Sequence, residues 1–104
     1  MLSSDGPVPL SATIDLATGV WSCTFDQALQ PGPVDIGNWS IRRTNQLQVI
    51  TTAVASGNVV AGATTTGMLS IGPDVINWSP PPFDVVNAID QPSFAFAGFP
   101  LTVT

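Results

Sequence analysis

The sequence predicts an all-β protein, a Greek-key β-sandwich of about seven short strands. Three observations carry this. The formal charge of the 104 residues resides in seven Asp and two Arg, so Glu and Lys, the usual residues of exposed helices, are missing altogether. Ten Pro and nine Gly punctuate stretches rich in Thr, Val, Ile and Trp. Several of those stretches alternate apolar and polar residues with a period of two. A chain of this length suits one domain and can bury a core without staples.

Residues 1–10, "MLSSDGPVPL", show no periodicity and read as an extended N-terminal arm; residues 11–104 read as the single sandwich domain. "SATIDL" alternates Ile14 and Leu16 with Thr13 and Asp15, as in a half-buried strand. "ATG" turns the chain into "VWSCTFD", which sets Trp21, Cys23 and Phe25 on one face and makes the first two strands a hairpin. "QALQPGPVDIG" is a loop. "NWSIRR" places Trp39 and Ile41 inward, "RTNQ" turns, and "LQVITTAV" offers Leu47, Val49 and Thr51 as the next inward face. After "ASGN", "VVAGATTTGMLSIG" holds one or two strands with Leu69 and Ile71 as core candidates. "DVINWS" points Ile76 and Trp78 inward. A long loop, "PPPFDVVNAIDQPS", leads to "FAFAGFPLTVT", with Phe94, Phe96, Leu101 and Val103 as its core face.

The triplet Asn-Trp-Ser occurs twice, at residues 38–40 and 77–79. Each continues an inward alternation at Trp, with Asn and Ser expected outward. The flanks share little else, so the triplets read as strand grammar and not as a repeat. Both also fit the N-glycosylation acceptor pattern.

Composition excludes several functions. Only 9% of residues are charged, and the net charge is −5. Two arginines cannot neutralise the phosphates that a nucleic-acid partner presents, nor recruit the chain to an anionic membrane. No charge lies between Arg43 and Asp74, but Thr, Ser, Gly and Asn interrupt that stretch well short of the roughly 20 apolar residues of a span. The single Cys23 cannot form an internal disulfide. The N-terminus lacks the basic and apolar regions of a secretory signal. With a last strand at the C-terminus, it reads as a small complete product made and used without Sec export, or else as a mature fragment given a start Met.

At "VWSCTFDQALQPGPVDIGNWSIR" the chain resembles the bacterial Ig-like modules of the SwmB and Big-type families. The resemblance extends over about residues 12–104 and includes "VINWSPPPFDVVNAIDQPSFAFAGFPLTVT" at the end. It implies an Ig-like sandwich acting as a structural or adhesive module in surface proteins or in tailed-phage virions, without catalysis. The acidic, Gly-Asn-containing loop usual late in that family is "AIDQPS" here, which counts against a loop-borne metal.

The residues lead the same way. His, Glu and Lys, which usually carry acid–base chemistry, are absent. Cys23 sits on an apolar face without a His to activate it, as an inert core thiol. Asp26, Asp35, Asp84 and Asp90 lie in loops that a sandwich could gather into a calcium site, but their spacing matches no calcium motif. Arg42 and Arg43 point to opposite faces of a strand and suit a surface ion pair with an Asp. Trp39 and Trp78 could serve a carbohydrate-binding module as stacking platforms, although their alternation favours burial. No enzyme and no cofactor are expected.

A sandwich without Lys leaves its sheet edges poorly guarded, so partner proteins are expected to cover part of it. The arm residues Met1, Leu2 and Val8 and the loop residues Phe83, Val85 and Val86 are the candidate interface. The expected partners are other protein subunits, such as a major capsid or tail protein, or further copies of the chain. The expected setting is a virion, with the bacterial cell surface as the alternative.

Overall fold

Alternation becomes strand wherever a neighbour can pair it, and ten strands result among the described residues. The computed structural model describes residues 6–104. The strands are β1 (Pro9–Ile14), β2 (Val20–Phe25), β3 (Gly32–Pro33), β4 (Trp39–Arg43), β5 (Gln46–Ile50), β6 (Val54–Ser56), β7 (Val59–Leu69), β8 (Val75–Trp78), β9 (Phe96–Pro100) and β10 (Thr102–Val103). The only helical element among the described residues is the three-residue 3-10 turn Ile36–Asn38. The fold is all-β and sandwich-like, with more strands than the seven expected. The excess comes from two-residue pieces and from strands interrupted at corners.

Two sheets share the core. One runs β10-β1-β2-β7-β6-β3, and the other runs β7-β5-β4-β8-β9. Strand β7 belongs to both: Val59–Ala63 pair with β2, and Thr64–Leu69 pair with β5. The change of sheet falls between Ala63 and Thr64, next to Gly62, where any Cβ would collide with the Thr52 carbonyl. There the Thr52 hydroxyl accepts from the Ala63 N–H (2.9 Å) and the Ala63 carbonyl accepts from Thr51 N–H. A second corner lies at Leu101, between β9 in one sheet and β10 in the other.

Inside, Trp21, Cys23, Phe25, Ile41, Ile76 and Trp78 are fully buried, as the alternation of β2, β4 and β8 requires. The two Asn-Trp-Ser triplets are cross-strand partners. Trp39 pairs with Trp78, Ser40 pairs with Asn77, and the Asn38 carbonyl accepts from Ser79 N–H. The tryptophan rings lie 6.2 Å apart, Trp21 stands 5.1 Å from Trp39, and Phe96 packs within about 6 Å of both Trp39 and Trp78.

Several inward assignments fail, each for a local reason. Leu47 and Val49 are exposed, while Gln48 and Ile50 are buried. Thr44 and Asn45, with φ of 47° and 64°, form a two-residue hairpin loop that pairs Arg43 with Gln46 and hence Ile41 with Gln48. Because Ile41 is inward, Gln48 must be too, and its carbonyl accepts from the Thr64 hydroxyl (3.2 Å). Thr51 is exposed at the corner. Leu16 is exposed because Asp15 already turns the chain, accepting Gly19 N–H with its carbonyl and Ala17 N–H with its side chain. Leu69 and Ile71 lie past a register shift at the far end of β7 and face outward. Phe94 precedes β9; its neighbour Ser93 is the buried residue, tied by its N–H to the Val85 carbonyl.

Candidate functional site

Short acidic side chains fasten the loops. Each of the six aspartates among the described residues accepts a hydrogen bond. Asp15, Asp26, Asp35, Asp74 and Asp84 take backbone N–H groups from Ala17, Val8, Gly37, Thr44 and Asp35, and Asp90 takes the Gln30 amide. This is the turn chemistry for which Asp is suited and the longer Glu is not. Asp35 and Asp84 adjoin through a 2.6 Å bond from the Asp35 backbone, while Asp26 and Asp90 are committed to other partners. No three His, Cys, Asp or Glu side chains gather into a metal-sized group among the described residues.

The remaining chemical candidates are engaged by the fold. Burial pushes the Cys23 thiol up to about 12, so it is protonated at neutral pH. Trp39 and Trp78 are buried and present no stacking face to a sugar. Arg43 is also buried, on the face it shares with Trp39 and Ile41. Arg42 bonds the Pro73 carbonyl (2.9 Å) and the Ser70 hydroxyl, in place of the expected ion pair. Asn38, expected outward, is buried and donates its amide to the Pro82 carbonyl (2.6 Å). Asn77 donates to the Ser40 hydroxyl and accepts from Gly98 N–H. Both acceptor-pattern amides are thus occupied in the folded chain.

The expected interface residues separate. Met1 and Leu2 lie outside the described residues. Val8 is exposed, and its N–H reaches Asp26 Oδ1 at 2.9 Å. Residues 6–10, assigned to the arm, lie on the domain: Gly6 and Pro7 are buried, Gly6 against Pro92, and Pro9 begins β1. Phe83 is exposed on one side and meets Trp78 edge-on at 6.2 Å on the other. Val86 is half-buried, bridged to Pro92.

Val85 is a correction: it is fully buried and belongs to the core. The loop carrying it is laced down. Asn87 Oδ1 accepts from Ile89 and Gln91 N–H, its amide donates to the Gln27 and Gln91 side chains, and the Val86 carbonyl accepts from Gln30 N–H. Alternation along "FDVV" gave no warning, because no strand fixes its parity.

The surface feature missed from sequence is a groove. Pro7, Val8 and Pro9 form one wall; Ser93, Phe94, Ala95, Phe96 and Phe99 form the other, around a volume of about 300 Å³. The signal was present in the phenylalanines at 94, 96 and 99, the first two of which the alternation assigned to the core. Within the groove Phe94 exposes 80% of its surface, and elsewhere Met68, Leu69, Ile71 and Ile89 each expose 73%. A scan against protein-family models finds no match to this chain, and neither do comparisons with curated proteins and with solved structures.

Proposed function

We propose that the chain is a non-enzymatic structural component of a large protein assembly: a phage virion protein that decorates a capsid or builds a small tail or neck element. The observation that carries this reading is the apolar surface. Large side chains stand exposed at Met68, Leu69, Ile71, Ile89 and Phe94. Charged groups that would keep such a surface solitary are few, and of the two arginines one is buried and the other half-buried. Covering such side chains with neighbouring subunits removes apolar area from water at about 25 cal/mol per Å². The aspartates are spent on turns, and the one thiol is protonated in the core, which leaves docking as the use these side chains support. The virion setting follows from the resemblance to Ig-like modules.

One observation favours a second reading, a spacer or adhesion module of a bacterial surface protein. Strand β10 runs parallel to β1, so the chain enters at one end of the sandwich and leaves at the other, as modules in a linear array do. Fractionation separates the two readings. Quantitative mass spectrometry of purified particles and of cell envelopes is expected to find the chain in particles at a fixed ratio to the major subunit. Recovery only in envelopes, within a longer polypeptide, refutes the virion reading in favour of the spacer.

A further inference from the structure

We infer that the seam between β1 and β9 receives an extended strand from a protein partner, added to the free edge of β9, with apolar residues alternating with lysine or arginine. The inference rests on the assembly reading above and gives it a site and a partner chemistry.

The seam follows from the topology. Beyond the Leu101 corner β10 pairs with β1, but before it β9 pairs, among the described residues, with β8 alone and ends the row of strands. From Phe96 to Pro100, therefore, one side of the backbone has no strand beside it among the described residues. Such an edge is a template for a further strand, whose main-chain bonds supply affinity while pockets for alternate side chains supply specificity. A pocket is present on that side, the groove of about 300 Å³ walled by Pro7, Pro9, Phe94, Phe96 and Phe99. Between the phenylalanines stand Ala95, Ala97 and Gly98, all exposed and too short to obstruct an incoming backbone.

Charge selects the occupant. Among the described residues no charged side chain lines the groove, and a carboxylate at its rim is Asp26, bonded to Val8 N–H. The arginines sit elsewhere. By the registers of β4, β8 and β9, Arg42 is level with Pro100 at the closed end of the seam, whereas Trp39 is level with Phe96 at the open end. A second copy of this chain would bring another net charge of −5 toward the first. A strand bearing lysine or arginine is attracted instead.

The test titrates the isotope-labelled full chain with a capped seven-residue peptide alternating lysine and valine, and with its glutamate–valine counterpart, followed by amide NMR shifts. The expected result is movement of Val8 and of the amides from Phe94 to Phe99, with at least tenfold tighter binding of the lysine peptide. Phe94→Ser, at an exposed position, is expected to weaken that binding at least fivefold with an unchanged unfolding midpoint, and Asp26→Asn to narrow the preference between peptides. Shifts absent from β9, shifts confined to Met68–Ile71, equal binding of both peptides, or the same shifts produced by self-association without peptide each overturn the inference. Incorporation into particles separates it from the assembly reading. A Phe94→Lys chain that still incorporates normally refutes the seam alone, whereas a wild-type chain absent from particles refutes the assembly.

Discussion

Replacing Trp78 with alanine removes a fully buried ring that meets Trp39, Phe83 and Phe96 at centroid distances of 6.2, 6.2 and 6.1 Å. Truncating a buried Trp to Ala costs about 3–5 kcal/mol, a large part of the roughly 5–15 kcal/mol that holds a domain together. At about 4 kcal/mol the melting temperature falls by roughly 20 °C, and the urea midpoint falls by roughly 2–4 M. Trp78→Phe isolates the cause. The indole Nε1 is buried without a hydrogen-bond partner among the described residues, so removing it relieves about 1–3 kcal/mol of desolvation. That relief offsets much of the smaller ring's lost packing, and a net cost of about 1.5 kcal/mol or less is expected. Urea unfolding followed by the fluorescence of Trp21 and Trp39 reads both variants. If Trp78→Ala costs under about 1 kcal/mol, or if Trp78→Phe costs as much as Trp78→Ala, the ring is not the hinge of the core and the pairing of the two Asn-Trp-Ser triplets is misassigned.

Further outcomes follow from the same packing. Asn38→Ala leaves the Pro82 carbonyl without its 2.6 Å donor, and a loss of about 1–3 kcal/mol in urea unfolding is expected. Thr44→Asn replaces a β-branched residue held at φ 47° with one that tolerates it, and should raise stability by roughly 1 kcal/mol in the same assay. The Cys23 thiol is raised to about 12 from its ordinary 9.0 by burial, so the unfolded chain loses that proton first. Its contribution is complete below about pH 9 and declines as pH rises from 9 toward 12; Cys23→Ala should flatten that part of the stability–pH curve. Native Cys23 is also expected to resist iodoacetamide at pH 8 and to react once the chain is unfolded in urea.

The sequence was most legible where alternation was strict and the strand central. Trp21, Cys23 and Phe25 in β2, and Ile76 and Trp78 in β8, lie inward as period two requires. It misled where parity depended on a partner. Leu47 and Val49 are the more hydrophobic choice on β5, yet the two-residue hairpin loop ties Gln48 to Ile41 and turns both outward. Val85 is buried by a loop laced through Asn87, whose bonds span from Gln27 to Gln91 and leave no periodic trace. The groove is the harder case. Phe94 and Phe96 look like core residues in a single-strand reading, and only the corner at Leu101 shows that β9 has no neighbour on one side among the described residues.

Reconstitution onto particles tests whether the chain is an assembly component. Particles assembled without this chain are mixed with increasing amounts of the purified protein, and the bound copies are counted by mass spectrometry after sedimentation. A subunit of such an assembly saturates at a fixed number of copies per particle, and binding is lost when Met68, Leu69 and Phe94 are replaced together by serine. Binding that never saturates, or that survives those replacements unchanged, contradicts that role.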